Sequence, residues 1–302
     1  MSMSDTNYRT VEDPTLVDCN WVKQRLNEDN ICILKVLLQK GSLRNQTEDS
    51  DSIFIPNSKV FNISEFSENK DLPNMMICES DFKRLLTRYK ISKDAHIVFY
   101  ESSGVYASPR AWWMFYAMGF KKISIMSDSI YGWIKKGYPV EKKSSASTLN
   151  ASLNQRYNKD DSLFCKLSDI YNYIDDKGYY QIVDARSAAR FMGKGVFKKG
   201  QKSGHIPGSV NLPYSHFIKD GKYISIKEIE ELFLNLGVKK EKHIIFTCGS
   251  GITACILALA AYMVKFQKIS VYDGSWTEWS DNRLNNPVEI GIAAGFNNIK
   301  KF

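Results

Sequence analysis

The chain repeats itself, and this repeat restricts its architecture more than any other feature of the sequence. A segment that begins at His96, HIVFYESSGVYASPRAWWMFYAMGFKKISIMSDSIYGWIKKGYPVE, matches HIIFTCGSGITACILALAAYMVKFQKISVYDGSWTEWSDNRLNNPVE, which begins at His243. Both copies run from a strand through a small-residue loop, an apolar helix and a second strand to Pro-Val-Glu. Upstream, FIPNSKVFN from Phe54 echoes HIPGSVNLP from His205. A repeat of this length is a whole domain rather than a solenoid unit.

The repeat predicts two domains of the same α/β class. Each copy alternates short β-branched strands with helices, which indicates a parallel sheet with helices on both faces. We place the domains at residues 1–142 and 162–302, joined by a polar linker at 143–161 that has no apolar period. A chain of 302 residues is long enough to form both cores.

Composition and charge argue against several classes of protein. The apolar runs are too short to cross a bilayer, and the amino terminus has no apolar core of the kind found in a signal peptide. The net charge is +8, but the lysines are dispersed and no nucleic-acid-binding motif accompanies them, which favours a small anionic ligand. The six cysteines lack metal-ligand spacing, so we expect reduced thiols in the cytoplasm, without metal or cofactor.

A cysteine stands where an apolar strand breaks before a helix, in IIFTCGSGITACILALAAY at residues 244–262. The pattern predicts a turn from Cys248 to Thr253 at the helix N-terminus. Gly249 and Gly251 permit backbone angles that let successive N–H groups surround an anion. Because these groups and the helix dipole stabilise a thiolate, Cys248 is predicted to be a nucleophile. The alternative is a buried structural cysteine beside a phosphate-binding turn.

Five motifs together resemble the two-domain sulfurtransferases of the rhodanese superfamily: CGSGITA, VDARSAARF, GHIPGSVNLP, VYDGSWTEW and SPRAWWMF. The loop CGSGIT resembles that of 3-mercaptopyruvate sulfurtransferases, whereas thiosulfate-specific members usually carry basic residues after the cysteine. The resemblance implies two tandem rhodanese-like domains and an enzyme that moves a sulfane sulfur from an anionic donor through a Cys248 persulfide. A thiol acceptor such as thioredoxin or a dithiol, or cyanide, takes the sulfur in a second half-reaction. Glu101 stands at the matching position of the first copy, so that domain is expected to be scaffold and one wall of the cleft.

The resemblance also implies roles for individual side chains. Ser250 and Thr253 are expected to donate to the substrate or to a departing enolate, unless Thr253 only caps the helix. Arg190 is expected to bind the donor's carboxylate or sulfonate, with a surface salt bridge as the alternative. Arg110 either leans into the cleft or forms a buried interdomain salt bridge. The remaining substrate-binding candidates belong to the loop and to one lysine pair: Gly249, Gly251, Ile252, Lys198 and Lys199.

Other residues of these motifs are interpreted as structural. Asp184 and Arg186 are expected to form an ion pair that fastens the loop, and His205 is expected to support its turn. Cys255, which follows Cys248 in the apolar helix, is predicted to be a core residue rather than a second reactive thiol.

The chain departs from the family pattern at two places. The first domain's His-Ile-Pro-Gly-Ala turn usually carries a histidine that is proposed to work with the loop serine, and here the residue is Phe54. Phe54 is therefore interpreted as a lost acid/base position, or else as core packing beneath the turn. Where the family often places a second arginine after Arg190, only Lys198 or Lys199 is available, and lysine lacks the two-pronged geometry.

Three alternatives to a mercaptopyruvate enzyme follow from the same residues. Thiosulfate is the second candidate donor. A low-turnover persulfide carrier or binding protein would keep the fold and Cys248 but catalyse poorly. A cysteine phosphatase is disfavoured, because it needs an arginine at the end of the loop and Ala254 follows Thr253 here.

Overall fold

The molecule contains two parallel five-stranded sheets, one in each half of the chain. A computed structural model describes residues 14–38, 52–66, 72–142, 157, 159–194 and 199–292. The first half holds β1 (Leu16–Val17), α1 (Cys19–Arg25), β2 (Ile31–Leu37), β3 (Lys59–Asn62), α2 (Glu79–Tyr89), β4 (His96–Tyr100), α3 (Ser108–Ala117), β5 (Ile123–Met126) and α4 (Ile130–Lys135). The second half holds β6 (Phe164–Cys165), α5 (Leu167–Asp175), β7 (Tyr180–Asp184), α6 (Ala188–Phe191), β8 (Val210–Asn211), β9 (Ile218–Lys219), β10 (Lys222–Tyr223), α7 (Ile226–Asn235), β11 (His243–Thr247), α8 (Ala254–Met263), β12 (Ile269–Tyr272) and α9 (Ser275–Trp279).

The two large sheets have the same strand order. The first runs β1-β5-β4-β2-β3 and the second β6-β12-β11-β7-β8, with every neighbouring pair parallel. Strands β4 and β11 are central and almost wholly buried, which explains why they consist of β-branched and aromatic residues. The predicted tandem α/β fold is confirmed, and the repeat in the sequence corresponds to this repeated topology.

The helices α3 and α8 join the two domains through an apolar interface. Both follow a central strand, and nearly every residue in each is buried. The Trp112 ring lies 4.9 Å from the Tyr262 ring, between the two helices. A helix that is apolar all round must be covered on all sides, and here its own sheet covers one side and the partner helix another. One apolar core therefore continues through both domains.

Each domain also extends a segment into the other. The turn of the β9–β10 hairpin meets the loop after β4, where Val105 N donates to Gly221 O at 2.8 Å. A Cβ on Gly104 would lie 2.6 Å from that same oxygen, so only glycine permits this approach. In return, residues 72–77 of the first domain reach the loop after β11.

Most of the predicted linker at 143–161 lies outside the described residues. Its residue Tyr157 is described and is buried in the first domain, where it stacks on Phe120 with ring centroids 6.0 Å apart. Among the helices that the structure describes, none has both the length and the apolar character needed to cross a bilayer.

Candidate functional site

Cys248 lies at the carboxyl end of the central strand β11, where the chain turns into α8. Its side chain is 2% exposed. Helix α9 holds the outer side of this turn, because Trp276 N donates to Cys248 O at 3.0 Å and Thr277 N donates to Gly249 O at 2.9 Å. Cys248 N in turn donates to Ser275 Oγ at 3.3 Å. The loop is thus held through its carbonyl groups and the first of its N–H groups.

The remaining N–H groups of the loop, at residues 249–253, form no hydrogen bond within the described part of the chain. Gly251 has a φ of +78°, and a Cβ there would lie 2.9 Å from Asp273 O. The left-handed backbone and the close approach both require glycine at this position. Consecutive N–H groups without an internal acceptor at a helix N-terminus form a site for an anion.

The equivalent loop of the first domain is filled by its own side chain. The Glu101 carboxylate accepts hydrogen bonds from Tyr106 N at 2.7 Å, Ala107 N at 3.0 Å and Ser108 N at 2.9 Å, and from Ser108 Oγ at 2.6 Å. Burial raises the pKa of Glu101, and these hydrogen bonds act in the opposite direction. The two loops therefore share one architecture, closed by a carboxylate in the first domain and open beside Cys248 in the second.

Arg190 places a cation against the open loop. A Cβ on Gly249 would lie 3.5 Å from both terminal nitrogens of its guanidinium group. Burial lowers the pKa of Arg190, and repulsion from Arg186 lowers it further, while Asp184 and Cys248 act in the opposite direction. Within the described ranges the side chain makes no hydrogen bond or ion pair, so the surface salt bridge that was the alternative is not formed.

Asp184 and Arg186 form the buried ion pair that the sequence predicts. Arg186 Nε and one terminal nitrogen contact Asp184 Oδ2 at 2.9 and 2.6 Å, and the guanidinium lies 4.1 Å from the Trp276 ring. His205 is also structural as predicted, since it stacks on Phe191 at 3.7 Å and its Nδ1 lies 2.9 Å from Phe191 O.

Cys255 is confirmed as a core residue. It is fully buried, its Sγ lies 3.3 Å from Gly251 O, and burial raises the pKa of its thiol to about 12. A thiol with such a pKa stays protonated at neutral pH and is a poor nucleophile.

Arg110 lies behind the loop rather than in the cleft. It is fully buried and pairs with Asp273 Oδ1 at 2.6 Å, so the structure supports the interdomain salt bridge and not the substrate contact. The same nitrogen donates to Asn74 O at 2.6 Å, and Asp273 Oδ2 accepts from Met76 N at 2.7 Å. The pair therefore attaches residues 72–77 of the first domain to the back of the Cys248 loop.

Asn74 is a functional candidate that the sequence did not reveal. Its Nδ2 donates to Ser250 Oγ at 3.3 Å, which joins the first domain directly to the loop. The preceding proline indicates a turn here, but a turn signal says nothing about what the turn contacts.

Phe54 occupies the position equivalent to His205, as the sequence match predicts. Phe54 forms an isolated bridge with Glu141, and His205 forms the matching bridge with Glu289. The Phe54 ring is 7% exposed and lies 4.5 Å from Lys35 Nζ, inside the first domain. The structure thus supports the alternative in which Phe54 is core packing, and it brings Asn74 rather than Phe54 to the loop serine.

The other predicted site residues fall in three places. Thr253 is 8% exposed, and its hydroxyl makes no capping hydrogen bond to α8. The alternative in which Thr253 only caps the helix is therefore not supported. Ile252 is buried in the core beside it. Lys199 is exposed on a turn where Gly200 O accepts from Asn282 N at 3.0 Å, and Lys198 lies outside the described residues.

A family model described as a rhodanese-like domain matches residues 19–136 and again residues 167–282. The chain belongs to the rhodanese family. This rhodanese is 35% identical over 272 residues to thiosulfate sulfurtransferase of Gallus gallus, covering 87% of this chain and 92% of the relative. It is 31% identical over 269 residues to 3-mercaptopyruvate sulfurtransferase of Homo sapiens, covering 87% and 84%.

Among solved structures, this rhodanese is similar to SseA from Escherichia coli, a structure described under the rhodanese fold and catalytic mechanism of 3-mercaptopyruvate sulfotransferases. The two are 25% identical with a TM-score of 0.76, covering 87% of this chain and 98% of SseA. These comparisons confirm the tandem fold and the prediction that this rhodanese is a sulfurtransferase.

Proposed function

We propose that this rhodanese takes a sulfane sulfur from 3-mercaptopyruvate onto Cys248 as a persulfide and passes it to an acceptor, which is a thiol such as thioredoxin, a dithiol, or cyanide. The observation that carries the proposal is the open set of N–H groups beside Cys248, together with the guanidinium of Arg190, which lies against this loop and is unpaired among the described residues. We also propose a cytoplasmic location, which the free state of all six cysteines supports.

In the first half-reaction, the Cys248 thiolate attacks the sulfur of the donor. A sulfur–sulfur bond forms, the donor's carbon–sulfur bond breaks, and its electron pair stays on the pyruvate fragment as an enolate. Water then protonates the enolate carbon to give pyruvate. Arg190 binds the donor carboxylate, and the hydroxyls of Ser250 and Thr253 donate to the oxygen on which charge develops.

In the second half-reaction, the acceptor attacks the outer sulfur and Cys248 leaves as a thiolate. The contacts of Glu101 in the first domain are an argument for this persulfide. The Glu101 carboxylate lies as many bonds from its backbone as the outer sulfur of a cysteine persulfide would at the equivalent position. That carboxylate is held by three backbone N–H groups. The equivalent groups of the second domain would hold the anionic persulfide in the same way.

The charge beside Cys248 supports 3-mercaptopyruvate, because its one carboxylate matches the guanidinium of Arg190 that lies against Gly249. Thiosulfate is a dianion, and the positions after Cys248 are Gly249 and Ser250, without basic side chains. Thiosulfate remains the second candidate donor, since a relative of 35% identity is a thiosulfate sulfurtransferase.

The test is intact-protein mass spectrometry after treatment with each donor, combined with the steady-state rate of sulfur transfer from each donor to an acceptor. We expect one added sulfur atom on the wild-type protein and none on Cys248→Ser. Cys78→Ser is the matched control, because the Cys78 side chain caps α2 by accepting from Asp81 N and serine can cap in the same way. An adduct that persists on Cys248→Ser would refute the assignment. A persulfide without turnover would show a carrier rather than an enzyme.

A further inference from the structure

Helix α9 holds the Cys248 loop from outside through two carbonyl groups. Trp276 N donates to Cys248 O at 3.0 Å, and Thr277 N donates to Gly249 O at 2.9 Å. The Thr277 side chain adds a second hydrogen bond to the same oxygen, with Oγ1 lying 2.7 Å from Gly249 O. A carbonyl oxygen can only accept, so the threonine hydroxyl is the donor and its one proton is used here. Gly249 O is therefore held by two donors from one residue.

The direction of these carbonyl groups determines the direction of the next N–H groups. Both peptide bonds are trans, so the C=O of one residue and the N–H of the following residue point in opposite directions. Because Cys248 O and Gly249 O are turned toward α9, the N–H groups of Gly249 and Ser250 point away from α9, to the inner side of the loop. These are the first two of the N–H groups that have no acceptor within the described part of the chain.

The first domain shows why an open loop needs this outer support. There the Glu101 carboxylate fills the loop and holds its N–H groups from inside. Ile130 N donates to Glu101 O at 3.2 Å, which is the counterpart of the first α9 contact. The next residue, Tyr131, stands at the position equivalent to Thr277, and its side chain is 48% exposed. The second loop contains no carboxylate of its own, so contacts from outside must orient its N–H groups before an anion is present.

We propose that Thr277 is a positioning residue whose hydroxyl holds the Gly249–Ser250 peptide so that the Ser250 N–H faces the anionic sulfur on Cys248. A hydrogen bond to the C=O of a peptide also polarises its N–H, which then donates more strongly. The contact therefore stabilises the thiolate of the free enzyme and the anionic persulfide, and has little effect on a neutral thiol. The part that concerns the persulfide rests on the proposed function, whereas the part that concerns the thiolate needs no sulfur donor.

The pH dependence of alkylation by iodoacetamide, measured on the peptide that contains Cys248, tests this role because only the thiolate reacts. Thr277→Val removes the hydroxyl and keeps the shape of the side chain. We expect the midpoint of the profile to move to higher pH by about 0.5 to 1 pH unit. The rate then falls roughly 3- to 10-fold below the midpoint and stays within about twofold on the high-pH plateau. Thr277→Ser keeps the hydroxyl and should move the midpoint by less than about 0.2 pH unit.

Thr247→Val is the matched control. Thr247 directly precedes Cys248, and its buried hydroxyl makes no hydrogen bond within the described residues. The same replacement there should leave the midpoint unchanged. Thr277→Ala also lacks the hydroxyl and introduces no new group, so it should move the midpoint as Thr277→Val does even if the valine variant folds poorly.

The same variants are then treated with 3-mercaptopyruvate at a pH below the midpoint. Persulfide should form roughly 3- to 10-fold more slowly on Thr277→Val than on the wild-type protein. An unchanged alkylation midpoint in Thr277→Val and Thr277→Ala, an equal loss of rate at every pH, or an equal shift in Thr247→Val would each overturn the inference. Failure of the wild-type protein to form a persulfide with either donor would instead refute the proposed function. Because the alkylation profile is measured without a donor, the two failures are distinguishable.

Discussion

Within the part of the chain that the structure describes, local packing leaves the Arg190 cation without an anionic partner. The nearest carboxylate in its own motif, Asp184, is occupied by Arg186 through contacts of 2.6 to 3.1 Å. Arg190 comes four residues later, on α6, and faces the loop with its guanidinium unpaired in the described structure. Two arginines in one motif thus have different roles, one structural and one available to a ligand.

Replacing Arg190 should weaken use of the anionic donor without disturbing the nucleophile. Loss of a charged contact costs about 2–3 kcal/mol, so Arg190→Ala is expected to lower kcat/KM for 3-mercaptopyruvate about 100-fold. Arg190→Lys should recover only part of this, because lysine keeps the charge but cannot grip two oxygens. Arg84→Ala, on the exposed face of α2, is the control. An unchanged kcat/KM, or a matching loss of Cys248 reactivity toward a neutral alkylating agent, would contradict this role.

At the scale of elements, we propose that the strand–loop–helix unit determines where the chemistry occurs. The loops after β4 and β11 are equivalent, and both place N–H groups at the start of an apolar helix. The difference is whether a side chain of the loop fills the space, as Glu101 does. The shape of the open loop depends on glycine at position 251, because a Cβ there would lie 2.9 Å from Asp273 O and 3.3 Å from a terminal nitrogen of Arg110.

Gly251→Ala should strain this loop and lower both stability and activity. A residue forced into the left-handed region with a close backbone contact costs about 1–3 kcal/mol. Gly237→Ala measures the cost of the left-handed backbone alone, because Gly237 has a φ of +70° and no atom lies within 4 Å of the added Cβ. Chemical denaturation should therefore show a larger loss for Gly251→Ala than for Gly237→Ala, with reduced turnover in the former alone. Equal losses would mean that the contact with Asp273 does not shape the loop.

At the scale of the whole molecule, the two domains complete each other's loops. The β9–β10 turn covers the loop of the first domain, and residues 72–77 reach the loop of the second. The Arg110–Asp273 pair lies at the centre of the second contact. The first domain, which has Glu101 at the position equivalent to Cys248, thus supplies part of the surroundings of Ser250.

Breaking the buried pair should therefore affect both stability and catalysis. Arg110→Met leaves the Asp273 carboxylate buried without its partner, and such changes cost about 3–5 kcal/mol of unfolding free energy. Adding Asp273→Asn should restore part of the stability, since no uncompensated charge then remains. Turnover should stay low in both variants, because Asn74 has lost its anchor. If the double variant is no more stable than Arg110→Met, the buried unpaired carboxylate is not the cause of the lost stability.

Several features of this protein follow from the sequence by itself. The duplication, the parallel sheets and the turn at Cys248 are encoded in short segments, since strand, turn and helix signals depend on neighbouring residues. The pairing of Asp184 with Arg186 was predictable for the same reason, because only one residue separates them in the chain. The match of Phe54 with His205 was also correct, but it located a turn and not a catalytic group.

Only the tertiary structure decided what meets the Cys248 loop. Asn74 and Ser250 lie in different domains, as do Arg110 and Asp273, and no local pattern records such contacts. The sequence left Arg110 with two interpretations because an arginine beside two tryptophans suits either a cleft or a buried pair. Burial and the position of a partner carboxylate select between them, and both depend on how the two sheets pack together.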